Sequence, residues 1–311
     1  MSVERKPIVV VGSINIDLVA RTEHIPAPGE TVTGNDFQVH PGGKGANQAV
    51  AIARLDYPVQ LIGRLGKDGF GTQLREHLQN AGVGLDGVMT SEGPSGVAII
   101  VVSQAGENCI VVTPGANALL SPQDLDDQIK MLRSAAMVLT QLEIPLETVE
   151  HLAMICSREG IPLMLDPAPA RALPAELLQR VAWFTPNETE AAFFAGSAAS
   201  SGADARVIAQ ELRALGPQNV VLKMGSRGAY VATAEGVENA IRPFAVQAVD
   251  TTAAGDCFNG AFATALCTGS NPAESARFAA AAAAISVTRA GAQPAMPTAA
   301  EVRDLMERTT Q

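Results

Sequence analysis

Basic residues are scarce in this chain. Over 311 residues, 22 Lys and Arg stand against 32 Asp and Glu, a formal net charge of −10. No run of Lys or Arg gives the electrostatic footprint of a nucleic-acid or membrane-surface binder. Cysteine is also sparse. The four present, Cys109, Cys156, Cys257 and Cys267, form no C-x-x-C pair, and their spacings match no zinc site. They read as reduced small hydrophobes of a cytosolic protein. Long apolar runs are missing too. The most apolar stretch, "FAAAAAAISV" (278–287), is about half the length a membrane span needs and predicts a buried Ala-rich helix. The opening "MSVERKPIVVVG" has charges but no apolar h-region, which argues against a signal peptide. A cytoplasmic protein is expected. An acidic chain that handles a small anion must supply local positive potential from backbone N–H groups and helix N-termini.

Hydrophobic residues make up 47% of the chain, enough for a large core, and charged residues only 17%. Six short runs read as strands covered on both faces, because they are apolar without alternation. They are "PIVVVGS" (7–13), "VQLIGRLG" (59–66), "MVLTQLE" (137–143), "IPLMLDP" (161–167), "WFTPN" (183–187) and "NVVLKMG" (219–225). Helical patterns lie between them. Residues 121–135 start with Ser121 as N-cap and Pro122 at the first helical position. Residues 145–160 end on Gly160, placed to close a helix. Strands alternating with helices predict an α/β fold, a central mainly parallel sheet with helices on both faces. Residues 17–40 and 96–113 break the alternation. Both are β-prone, the second a hairpin around "QAGEN", and both fit a small antiparallel sheet projecting from the body. No internal repeat or long linker appears, so residues 1–311 read as a single domain with a discontinuous β lid.

Two glycine-rich stretches could meet a ligand. "PGGKGANQAV" (41–50) lacks the G-x-x-x-x-G-K-[ST] spacing of a phosphate loop, since Gly45 follows Lys44. Its glycines would instead let backbone approach a small polar ligand. "VDTTAAGDCFNGAFATAL" (249–266) has a strand-like lead-in, "AVQAV", then a turn of small residues opening a helix from about Gly255. Ala253, Ala254 and Gly255 can turn their N–H groups to an anion, aided by the helix dipole. Asp256, in the first turn, has two readings. It balances the helix dipole, or it accepts a hydroxyl proton while the turn holds a phosphoryl group. A dinucleotide-binding oxidoreductase is disfavoured, because "VVVGSIN" has one glycine, Gly12, and no G-x-G-x-x-G.

"GSINID", "GGKGANQA", "DPAPAR", "PNETE", "KMGSRGAY" and "VDTTAAGDCFNGAF" follow one another in the order found in the ribokinase, or PfkB, family of sugar kinases. The resemblance runs from about residue 8 to about residue 300. "PGETVTG", "QLEIPLE" and "VTRAGAQP" look like the ribose-specific branch. The resemblance implies a parallel sheet with a small β lid, often a homodimer through the lids. It implies transfer of the ATP γ-phosphoryl to a sugar or nucleoside hydroxyl, and for the ribose branch to the 5-hydroxyl of D-ribose, giving ribose 5-phosphate. The alternatives are a kinase of the same family for 2-deoxyribose, a nucleoside, fructose or a keto-deoxy sugar acid, and a non-catalytic sugar sensor. Ile16, bulkier than its counterpart in some relatives, would then crowd the sugar.

The resemblance also assigns residues. Asp256 matches the catalytic base, and Ala253, Ala254, Gly255 and Asp256 the anion hole. Asn15, Asp17, Gly43, Lys44, Gly45, Ala46, Asn47 and Glu143 match the sugar site. Carboxylates and amides suit a polyol, since they accept from, or both donate to and accept from, hydroxyls. Asn187, Lys223, Gly225, Ser226, Gly228 and Gly255 match nucleotide-facing positions, with Lys223 replacing the usual Thr. Asn187 and Glu190 match an N-x-x-E element that acts on Mg²⁺ through water. Asp250 and Thr252, with the backbone of Ser286, Arg289 and Gly291, match a monovalent cation site, implying activation by K⁺. Ala295 replaces a Ser of some relatives there and leaves one oxygen ligand fewer.

Overall fold

Every residue of the run Ile8–Val11 is buried. Ile8 and Val10 enter one hydrophobic cluster, and Val9 and Val11 another. A strand sandwiched in this way needs apolar residues at every position, which is why the sequence shows no alternation there. The computed structural model describes residues 5–196 and 204–309, so residues 1–4 of the N-terminal stretch discussed above lie outside it.

The chain begins β1 (Ile8–Val11), β2 (Asn15–Thr22), β3 (Asp36–Gly42), α1 (Lys44–Arg54), β4 (Val59–Gly66), α2 (Gly69–Asn80) and β5 (Gly84–Ser91). It continues with β6 (Gly96–Ser103), β7 (Asn108–Thr113), α3 (Pro122–Asp127), α4 (Ile129–Ser134), β8 (Met137–Thr140), α5 (Leu146–Glu159), β9 (Leu163–Leu165) and α6 (Ala175–Leu178). Then follow β10 (Trp183–Phe184), α7 (Glu188–Ala195), α8 (Ala205–Ala214), β11 (Asn219–Lys223), β12 (Ala229–Ala232) and β13 (Glu238–Ile241). Three helices, α9 (Ala254–Cys267), α10 (Pro272–Ser286) and α11 (Ala299–Arg308), complete the described chain.

The main sheet has nine strands in the order β13-β12-β11-β10-β9-β8-β1-β4-β5. Pairing is parallel from β5 through β11. Strands β12 and β13 add an antiparallel edge. Side chains of α1, α2, α9, α10 and α11 build the core on one face, and those of α3 to α8 the core on the other. The Ala-rich run is α10, and Gly160 ends α5 in the left-handed conformation, both as expected. After β1 the chain builds outward to β4 and β5, then crosses back to β8 and proceeds the other way. Such a switch point leaves a crevice at the carboxyl ends of the strands, where open α/β sheets bind ligands.

Residues 17–40 and 96–113 do contribute a second sheet, of order β3-β2-β6-β7, but its pairing corrects the expectation. β2 and β6 run parallel from Asn15↔Gly96 to Thr22↔Ser103, so the sheet is mixed. Two local expectations also fail. "AVQAV" (245–249) is not a strand: it pairs with no strand among the described residues, and Val246 and Val249 are exposed. Helix 121–135 starts with the expected Ser121 N-cap, which forms a capping box with Asp124, but is divided into α3 and α4 at Gln128. No helix among the described residues is long and apolar enough to cross a membrane.

Candidate active site

Polar residues stand in a row at the carboxyl ends of five adjacent parallel strands. Ser13 follows β1, Gln141 and Glu143 follow β8, Asp166 follows β9, Asn187 follows β10, and Lys223 ends β11. With strands about 4.8 Å apart, the row spans roughly 19 Å. That length suits an elongated ligand such as a sugar in line with a chain of phosphates.

At the β1 end, Asn15 and Asp17 project from one side of β2 and Ile16 from the other. Ile16 is fully buried in the core, so it does not crowd the site. Asn117 pins the β1–β2 turn. It accepts from Ile14 N at 2.9 Å and donates to Asn15 Oδ1 at 2.7 Å. Glu143 accepts from Ser13 Oγ at 2.6 Å and from the backbone N of Lys44 at 3.2 Å. The glycines of "GGKG" have a packing task. A Cβ on Gly43, which has φ +87°, would lie 2.7 Å from Asn15 N, and one on Gly45 would lie 2.7 Å from Gly12 Cα. The chain itself fills the space. Glycine lets the start of α1 seat directly on the β1–β2 turn, bringing Asn47 inward.

Asp256 lies in the first turn of α9, fully within the protein. The residue before the helix, Ala253, has φ 57° and ψ 15°, a left-handed conformation that costs a non-glycine residue roughly 1–2 kcal/mol. Such strain persists only where the surroundings impose it, and it clusters at functional sites. Asp256 Oδ2 accepts from Asn47 Nδ2 at 2.9 Å, and Oδ1 from Gln48 Nε2 at 3.2 Å. Gln48 also donates to Asp166 Oδ2 at 3.1 Å and accepts from Gln141 Nε2 at 2.7 Å. Lys223 Nζ, buried, pairs with Asp166 Oδ1 at 3.0 Å. A Cβ on Gly255 would meet that ammonium at 3.4 Å. Lys223 Nζ therefore ends beside the turn of small residues that opens α9.

Charge is crowded here. Burial pushes the Asp256 carboxyl up to about 6; Lys44 opposes this, while Asp166 and Glu143 reinforce it. Burial, then Glu143 and Asp256, push Asp17 to about 6. Burial would lower the Lys44 ammonium, but the carboxylates of Asp256, Glu143, Asp166 and Glu190 outweigh it and hold it above its usual value.

The remaining expected residues are brought together in part. Asn187 and Glu190 form a reciprocal capping box at the start of α7, with Asn187 N donating to Glu190 Oε2 at 2.7 Å and Glu190 N to Asn187 Oδ1 at 2.9 Å. Burial pushes the Glu190 carboxyl upward against the pull of Lys223. Gly225 and Ser226 sit in an exposed 3₁₀ turn, and Gly228 packs against the carbonyl of Ile241. The Asp250 carboxylate accepts from Thr252 N, Thr252 Oγ1 and Gly291 N, at 2.9, 2.6 and 2.9 Å, and so ties the turn before α9 to the loop after α10. The side chains of Ser286 and Arg289 turn elsewhere, to Ala283 O and Glu301. The expected ligands of that loop are its peptide oxygens, which a hard cation prefers. No group of three or more His, Cys, Asp or Glu among the described residues could hold a metal ion.

Sequence reasoning missed Gln48, Gln141, Gln293, Asn117 and Asp166. Asp166 was in view in "DPAPAR", without a role. The sequence signature of the pfkB family carbohydrate kinases spans residues 5–299, and the chain belongs to that family. It is an ATP-dependent sugar kinase. It is similar to the ribokinase of Haemophilus influenzae, 40% identical over 304 residues that cover 97% of this chain and 99% of the relative. The structure of Arabidopsis thaliana ribokinase complexed with ribose and ATP matches at TM-score 0.88 and 36% identity, covering 97% of this chain and 99% of that one. The deoxyribokinase of Salmonella typhi is 36% identical over 295 residues, 93% of this chain and 95% of its own.

Proposed function

We propose that the protein transfers the γ-phosphoryl group of ATP to the 5-hydroxyl of D-ribose. The observation that carries this reading is Asp256, a buried carboxylate held by two amides at a helix N-terminus and flanked by a turn of small residues and the Lys223 ammonium. Asp256 takes the hydroxyl proton. The N–H groups of 253–256 and Lys223 receive the charge of the phosphoryl group in flight. Asn15, Asp17 and Glu143 bind the other hydroxyls, and the loop 225–228 faces the nucleotide. Mg²⁺ would be held through water by Asn187 and Glu190, whose carboxylate keeps lone pairs outside the capping box, and would neutralise phosphate charge. K⁺ would take peptide oxygens of the loops that Asp250 ties together.

Support for ribose comes from relatives named ribokinase at 40% identity and from a neighbour solved with ribose and ATP. The Salmonella relative named deoxyribokinase makes 2-deoxyribose the second reading. The two separate in a sugar panel with ATP and Mg²⁺, run with and without K⁺. Ribose is expected to give the highest kcat/KM, with K⁺ raising kcat. A tenfold advantage for 2-deoxyribose or another sugar would transfer the assignment to that sugar.

The small sheet is our candidate lid and dimer surface. Strand register puts Phe37, Val39, Ile99 and Val111 on the face opposite Asp17, and all four are exposed. An apolar cluster of this kind fits a second copy of the chain. Sedimentation is expected to give a dimer for the protein and a monomer for Ile99→Asp; a monomeric parent would refute the pairing.

A further inference from the structure

A line of four hydrogen-bonded side chains ends on Asp256, and its far half has no part in the reading above. Asn47 Nδ2 lies 2.9 Å from Asp256 Oδ2. Gln293 Nε2 lies 3.0 Å from Asn47 Oδ1. His77 Nε2 lies 2.9 Å from Gln293 Oε1. The line joins α9, α1, the turn Gln293–Ala295 and α2. Asn47 and Gln293 are buried, while His77 is half-buried.

Its end group fixes its direction. An ionised carboxylate only accepts, so Asn47 must turn its N–H to Asp256 and its oxygen to Gln293. Gln293 must then donate to Asn47 and offer its own oxygen to the histidine. An amide oxygen cannot donate, so His77 carries a proton on Nε2. All three donors point towards Asp256, and hydrogen bonds aligned head to tail polarise one another. Reversing any one amide would set donor against donor at the next link. The carboxylate thus orients both amides, and the Nε2–H tautomer of His77 completes the line by satisfying the Gln293 oxygen.

We propose that His77 is a positioning residue for Asp256, acting through Gln293 and Asn47 to hold the carboxylate oxygen at the angle that proton abstraction needs. The proposal rests on the kinase reading, since the angle matters only if Asp256 receives a hydroxyl proton. Gln293 lies two residues beyond Gly291, whose N–H donates to Asp250, so the same turn reaches both the proposed cation loops and the base.

The test is a set of variants assayed for kcat, sugar KM, sugar affinity by calorimetry and thermal midpoint. His77→Leu cannot donate, whereas His77→Gln can. For His77→Leu, kcat is expected to fall about tenfold, because small misplacements of a reacting group are costly. Its sugar KM and calorimetric affinity should stay within about twofold of the parent, as for a group felt only in the transition state. His77→Gln is expected to return kcat to within about twofold of the parent. Gln293→Leu, which breaks the line in its middle, should lower kcat at least as far as His77→Leu. An unchanged kcat in His77→Leu would overturn the proposal, and so would losses that merely track the thermal midpoint in all three variants. A parent protein that binds sugar yet phosphorylates none would overturn the kinase reading and the relay with it. An active parent with an indifferent His77→Leu would overturn the relay alone.

Discussion

Asp256→Asn is expected to keep the fold and the bound sugar while lowering kcat by about 10³- to 10⁴-fold, the upper range for loss of a general base. The carboxamide has nearly the same shape, and it removes a charge that the buried site holds at a cost. It gains an NH₂ group that must face one of two donors, Asn47 Nδ2 or Gln48 Nε2, so a modest loss of stability accompanies the change. Retention of more than a tenth of parental kcat would remove Asp256 from the chemistry. The parent carries a matching pH signature. Asp256 is pushed from 3.8 to about 6, and the base works only when ionised. Activity should therefore be flat above about pH 6 and fall about tenfold per unit below it. Linkage runs in the opposite sense. A carboxyl raised in the folded state lowers stability above pH 6, where it is charged, and not below 3.8. Near pH 5 the enzyme should thus lose activity reversibly without this group driving unfolding. A rate that stays flat down to pH 5 would count against the assignment.

Lys223→Met is expected to have two separable effects. The first is on stability. Lys223 and Asp166 form a buried pair at 3.0 Å, and removing one member leaves a carboxylate uncompensated, which costs about 3–5 kcal/mol. The second is on the reaction. An ammonium beside Gly255 stabilises charge on the transferring group, and loss of one such donor costs about 10²- to 10³-fold in kcat. The double variant Asp166→Asn with Lys223→Met separates them. It removes both charges, so the thermal midpoint should recover most of its loss while kcat stays low. Recovery of both would make Lys223 a structural counter-ion only. The charge of Asp166 pushes Asp256 upward, so removing it in the double variant should move the acid limb to lower pH than in the parent.

Much of this was legible because strands buried on both faces leave continuous apolar runs and because helix ends carry recognisable caps. The six expected strands all exist, down to the two residues of Trp183–Phe184. "AVQAV" misled because β-propensity describes a fit to neighbouring strands, and residues 245–249 have none. The parallel pairing of β2 with β6 was out of reach for a related reason. Two β-prone segments do not declare their direction, and these are separated by the whole of α1, β4, α2 and β5. The turn of small residues before α9 was readable because it is a local pattern. The amides around Asp256 were not. Gln48 and Gln293 are ordinary polar residues whose roles arise from partners 208 and 246 positions away in the chain. The packing task of the "GGKG" glycines was not legible, since a glycine that admits a ligand and one that admits another backbone look alike in sequence.

Strand β2 belongs to two environments at once. Asp17 projects from one of its sides, while the other carries the register of the exposed Phe37, Val39, Ile99 and Val111. A strand cannot twist or slide on one side alone. If a second copy docks on the outside of the small sheet and Asp17 holds a sugar hydroxyl, as proposed, sugar affinity is expected to rise with protein concentration.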